Sequence, residues 1–130
     1  MEYSGKENIE KLGSHDSCYI TNFCKNPNEV FNELNEEIEF IPREELKFKI
    51  YGKELPLPRD KQFFGDIDKE GRIPLFRYTK DYIPVVKKWT DTLKEIRDQI
   101  EEGFMLNKEK KSQYCNHLVV NRYQDGSEVL

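Results

Sequence analysis

No stretch of the chain approaches the roughly 18 uninterrupted apolar residues of a membrane helix. The N-terminus also lacks the apolar core of a signal peptide. An intracellular protein, neither secreted nor held in a membrane, is therefore expected, with nucleus and cytoplasm not distinguished. Cysteine is scarce. Cys18, Cys24 and Cys115 are odd in number and lack CxxC spacing, which disfavours both a disulfide framework and a zinc site and reads as reduced thiols. Internal repeats and low-complexity tracts are absent as well, excluding solenoid and fibrous architectures. Basic charge is in deficit, with a net charge of -4 that weighs mildly against a nucleic-acid partner. The deficit is local: residues 1–40 carry 3 basic and 9 acidic side chains, against 18 and 16 in residues 41–130. The later two-thirds of the chain thus remains compatible with phosphate contact.

Aromatic residues are what the chain has in quantity. Eight Phe and seven Tyr can supply a core, while 35% charged residues and a mean hydropathy of -0.86 leave much of the surface solvated. At 130 residues, one modest soluble domain is the ceiling. Residues 1–17 are polar and aperiodic and read as a flexible tail. Tyr19, Ile20 and Phe23 then open an apolar stretch. Asn26, Pro27 and Glu29 have the chemistry of an N-cap, a first helical residue and a first-turn acid, predicting a short helix that ends near Glu37. Ile38, Phe40 and Ile41 suggest a strand stopped by Pro42. Phe48 and Ile50 alternate with charged neighbours in a strand that turns at Gly52, and the Pro56–Arg59 segment is extended. Residues 66–72 read as a polar loop, with Leu75–Tyr78 returning as a strand. A long helix is predicted after Ile83, with Pro84 at its first position, an apolar stripe of Val86, Trp89, Leu93, Ile96 and Ile100, and a stop at Gly103. The lysine-rich stretch after it reads as a solvated turn. His117–Tyr123 is a strand, and Val129–Leu130 starts another.

Several motifs occur in a telling order. Tyr51-Gly52-Lys53, then Pro58-Arg59-Asp60-Lys61-Gln62, then Phe64-Gly65-Asp66, precede Phe76-Arg77-Tyr78-Thr79 and, after the long helix, Asn121-Arg122-Tyr123-Gln124-Asp125-Gly126. This series resembles the AlkB-like Fe(II)/2-oxoglutarate-dependent dioxygenases, in particular their DNA-repair branch of alkylated-base demethylases. The resemblance spans about Tyr19 to Leu130. It implies an α+β fold in which N-terminal helices and a substrate lid are joined to the first strands of a double-stranded β-helix, or jelly roll, with residues 18–130 forming a partial domain.

Period-two geometry places Asn121 and Tyr123 on one strand face. By the resemblance they would hydrogen-bond 2-oxoglutarate, a role suited to an amide and a phenol that both reach carboxylate oxygens. Tyr51 matches the residue wedged into a duplex when a base is flipped out. Beside it Gly52 permits close backbone approach, and Lys53 can meet phosphate. Phe76 and Tyr78 match the aromatics that sandwich the extruded base, with Arg77 between them, and Arg59 matches a substrate-side position. Without the motif order, these aromatics read equally well as core residues, and Arg59 as a surface ion-pair member.

The family's metal ligands are what the sequence does not offer. A 2-His-1-carboxylate centre needs a His-x-Asp and a later His, but His15 is followed directly by Asp16, and the second neighbour of His117 is Val119. His117 reads as a strand-start residue. Iron and 2-oxoglutarate are thus expected of the complete family domain, and neither is expected to bind this chain alone. The expected function is that of an oxidative dealkylase of alkylated DNA or RNA, here a fragment inactive by itself, with nucleic acid or a complementary C-terminal fragment as partner. The alternative is a non-catalytic nucleic-acid-binding or protein-interaction module derived from that fold.

Overall fold

The computed structural model describes residues 9–12, 17–73, 75–78, 82–103 and 115–126, with the side chains of residues 9–12 and 17–20 not included. The single domain expected from length divides into two compact units, residues 1–37 with 90–115 and residues 38–89 with 116–130. The second unit is closed by a segment that returns from far along the chain, a pairing that local patterning does not announce.

In the first unit, β1 (Ile9–Leu12) and β2 (Ser17–Ile20) pair antiparallel, from Ile9 opposite Ile20 to Leu12 opposite Ser17. The strand β1 falls within the stretch expected to be a tail. Its partner lies only a few residues away, so pairing costs little loop-closure entropy despite a weak local signal. The helix α1 (Pro27–Glu37) has the predicted bounds, and Val30 N–H donates to the Asn26 carbonyl at 3.1 Å to close its first turn. The helix α2 runs Asp91–Gly103 and so starts seven residues after Pro84. Thr90 is its N-cap: the side-chain oxygen accepts from Leu93 N–H at 3.2 Å, and the carbonyl accepts from Lys94 N–H at 3.0 Å. Leu93 is buried and Ile96 and Ile100 are half-buried, so the C-terminal part of the predicted stripe is real. Thr92 donates to the Glu37 carboxylate at 2.7 Å, tying α2 to the end of α1.

The second unit explains why the helix starts late. Lys87 N–H donates to the Phe63 carbonyl at 2.8 Å and its carbonyl accepts from Gly65 N–H at 3.0 Å, so this backbone serves a sheet edge and not a helix. That edge belongs to β5 (Asp60–Gly65), buried throughout, which pairs antiparallel with β6 (His117–Arg122) from Asp60 opposite Arg122 to Gly65 opposite His117. Ile38, Leu46, Phe63, Phe64, Val86 and Trp89 form the buried apolar core. A hairpin of β3 (Lys47–Ile50) and β4 (Lys53–Pro56) precedes β5. Its two-residue turn has Tyr51 at φ 50° and Gly52 at φ 76°, the left-handed pair that matches strand twist in a tight hairpin.

Two predicted strands are not strands. Residues 38–41 make only a single bridge, Ile41 to Lys61, with backbone bonds of 2.8 and 3.3 Å. Leu75–Tyr78 keeps the alternation of exposed and half-buried side chains but has no ladder partner among the described residues, and Tyr78 N–H bonds the Tyr82 carbonyl at 3.1 Å. Alternation fixes which side chains turn inward; a strand also needs a neighbour for its backbone. Residues 66–72 form the expected polar loop, knit by Asp68, which accepts from Arg72 N–H and Nε at 2.7 Å. Thr79, the lysine-rich stretch and Val129–Leu130 lie outside the described residues.

Candidate nucleic-acid and cosubstrate site

The two faces of the β5/β6 pair have different chemistry. On one face Lys61 and Phe63 of β5 lie opposite Asn121 and Val119 of β6. Lys61 Nζ donates to Asn121 Oδ1 at 2.6 Å and sits 5.1 Å from the centroid of the Tyr78 ring. Phe63, fully buried, meets Tyr78 edge-on at 5.3 Å and Phe76 at 5.8 Å, and Phe76 in turn packs on the His117 ring at 4.6 Å. These aromatic contacts are within the range of favourable tilted and edge-to-face packing. Asn121, Phe76 and Tyr78, drawn from two motifs more than forty residues apart, therefore converge on one surface, bound together by Lys61, Phe63 and His117.

The opposite face anchors the register. Asp60 Oδ1 accepts from Arg43 N–H at 3.1 Å and Arg43 Nε at 3.3 Å, and Oδ2 accepts from Arg122 Nε at 3.2 Å and Nη2 at 3.0 Å. Burial alone would raise the Asp60 pKa, but the bonds from Arg122 and Arg43 together outweigh it and hold the carboxyl below its ordinary 3.8. The Arg122 guanidinium also lies 4.2 Å from the Phe40 ring centroid.

Tyr123 follows the end of β6, and its hydroxyl oxygen is buried without a hydrogen-bond partner among the described residues, as is Nε2 of His117. His117 starts its strand as expected. Tyr51, Gly52 and Lys53 are grouped at the tip of the β3/β4 hairpin, where Tyr51 is fully exposed and Lys53 is also open to solvent. A Cβ on Gly52 would meet nothing within 4 Å, so the backbone sign, not crowding, calls for glycine. Arg59 is half-buried ahead of β5, and Arg77 is exposed. Lys61 and Phe63 are the members that sequence reasoning missed. Lys61 stood inside a recognised motif, but its partner lies 60 residues away, beyond any local pattern.

Among the described residues, no group of three or more His, Cys, Asp and Glu side chains comes together to hold a metal ion, so they support no step routed through iron. For a carboxylate-bearing cosubstrate the chemistry is better suited: the cationic Lys61, the Asn121 amide N–H groups and the unpartnered Tyr123 hydroxyl are all capable of donating to carboxylate oxygens. In the first unit, a groove of about 200 Å³ lined by Asn26, Glu29, Glu33, Thr92 and Glu95 has the wrong charge for phosphate. Cys24 and Cys115 are free thiols. Burial, followed by the neighbouring Glu101 carboxylate, pushes the Cys115 thiol pKa up. Among the described residues, no helix is long and apolar enough to cross a membrane.

The chain is thus an α+β protein with a donor-rich sheet face beside two aromatic rings. No family model matches the chain. It is similar to DNA oxidative demethylase ALKBH2 of Mus musculus, at 28% identity over 102 residues, 78% of this chain and 37% of that protein. The human protein of the same name is 27% identical over 117 residues, covering 88% of this chain and 40% of the relative. The Bos taurus protein of that name is 26% identical over 103 residues, covering 78% and 32%. These similarities support an AlkB-like relationship for this chain, which spans two-fifths or less of each relative's length.

Proposed function

We propose that these residues form the substrate-side and cosubstrate-side portion of an Fe(II)/2-oxoglutarate-dependent oxidative dealkylase acting on alkylated bases in DNA. In this reading, β5 and β6 are the first strands of a double-stranded β-helix and the β3/β4 hairpin is part of the substrate lid. The observation that carries it is the convergence of Asn121, Phe76 and Tyr78 on one β5/β6 face, in a chain whose relatives are named as DNA demethylases.

Tyr51 is the wedge. An exposed ring on a tight turn, held at positive φ by the hairpin, is presented rigidly and away from the core. Lys53 beside it meets backbone phosphate, and Arg59 and Arg77 add cationic contacts. The extruded base stacks at Phe76 and Tyr78, whose rings are braced from behind by Phe63. Asn121 and Tyr123 orient 2-oxoglutarate. The chain's own residues bind and orient the base and the cosubstrate, and no oxidation step is assigned to them.

The test is fluorescence anisotropy of the chain titrated into a labelled duplex carrying one N-alkylated base. Stacking is worth about 1–3 kcal/mol per base, so Tyr51→Ala should weaken binding roughly five-fold or more. Lys53→Ala should reduce the salt slope by about 1. Equal affinity of wild type and Tyr51→Ala would refute the wedge assignment, and no binding by the wild type would refute the nucleic-acid role.

A further inference from the structure

A buried ammonium needs a counter-charge, and Lys61 has none among the described residues. Only 4% of it is exposed, yet its partners are the neutral Asn121 oxygen at 2.6 Å and the Tyr78 ring at 5.1 Å. An amide oxygen and a π face recover part of the lost hydration of an ammonium, but not the part that only an anion restores. The same sheet pair treats its other buried charge differently, since Asp60 is neutralised by Arg43 and Arg122. Among the described residues, Lys61 is thus the one charge on the β5/β6 pair left without its opposite.

Polar groups on β6 and just past its end repeat the imbalance. Asn121 turns its carbonyl oxygen to Lys61, which leaves the amide N–H groups as donors on an exposed side chain. Two residues on, the buried Tyr123 hydroxyl has no partner among the described residues. An ammonium, an amide and a phenol supply donors in excess of acceptors, and a carboxylate brings only acceptors.

We propose that Lys61 is the cationic seat of a carboxylate of a small 2-oxo dicarboxylic acid, and that it positions Asn121 toward the same ligand. The assignment rests on the cosubstrate reading above and adds to it a charged contact outside the Asn121–Tyr123 motif. Asn121 beside it is exposed while Lys61 is only 4% exposed, a burial that favours a small carboxylate over a phosphodiester flanked by sugars on both sides.

The experiment is thermal unfolding of the full 130-residue chain, followed by Trp89 fluorescence, with millimolar 2-oxoglutarate, succinate, inorganic phosphate or the neutral dimethyl ester of 2-oxoglutarate. Against the expectation drawn from the missing iron ligands that this chain alone binds no 2-oxoglutarate, the two dicarboxylates should raise the midpoint in proportion to the logarithm of their concentration, and the ester should not. Lys61→Met should bind at least about ten-fold more weakly. Asn121→Asp, which supplies the missing anion from within the chain, should raise the midpoint by itself and abolish the response. A dicarboxylate response undiminished in Lys61→Met would overturn the Lys61 assignment while leaving the cosubstrate reading intact. Phosphate acting as strongly as the dicarboxylates would overturn the choice of ligand. No gain in stability from Asn121→Asp would overturn the missing counter-charge. No response of the wild type to either dicarboxylate would overturn the seat together with the cosubstrate role, which the DNA titration tests separately from the wedge.

Discussion

Asp60→Asn isolates the anchor that sets β5 against β6. The substitution keeps the shape of the side chain and removes a charge whose carboxylate is 5% exposed and accepts four bonds from Arg43 and Arg122. Removing one member of a buried ion pair costs about 3–5 kcal/mol because the survivor is left uncompensated. Here the survivors are 16% and 32% exposed and regain some hydration, which lowers the expected loss to about 2–4 kcal/mol. Urea unfolding followed by Trp89 fluorescence measures it: with m about 2 kcal/mol/M, the midpoint should fall by about 1–2 M. The loss should also depend on pH. Because the folded-state pKa is depressed, the contribution is fully present above the ordinary 3.8 and disappears as pH falls through the lower folded value, so wild type and variant should converge in acid. Asp68→Asn, in an exposed loop pair, is the control and should leave the midpoint unchanged. A loss below about 0.5 kcal/mol at neutral pH would refute the view that this network holds the register.

Two further outcomes probe other elements. Tyr51→Asn should stabilise the β3/β4 hairpin by about 0.5–1 kcal/mol, since Asn tolerates positive φ better than a bulky ring; a stabilised variant that binds alkylated duplex less well would reveal a residue kept for function against stability, and a destabilised one would remove the strain argument. Thr90→Ala should cost about 1 kcal/mol and lower the far-ultraviolet helical signal by fraying α2, whereas an unchanged spectrum and midpoint would mean that the helix start does not depend on its cap.

Local chemistry was legible along the chain. Asn26, Pro27 and Glu29 set the start of α1, and the alternation from Lys47 to Gly52 set β3 and its turn, because caps, proline and positive-φ positions act on their immediate neighbours. The motif order marks Asn121, Phe76 and Tyr78 as candidate site residues, and the β5/β6 pairing brings them to one face. Tertiary structure decided the rest. Proline before an apolar stripe argued for a helix from Pro84, but Lys87 gives its backbone to β5, and the helix waits for Thr90. Leu75–Tyr78 has the side-chain alternation of a strand without a strand's partner among the described residues. The role of Lys61 depends on Asn121, 60 residues away, which becomes its neighbour only when β6 returns to β5. Periodicity reports which side chains leave water; which distant backbone and which distant charge they meet is settled by the fold as a whole.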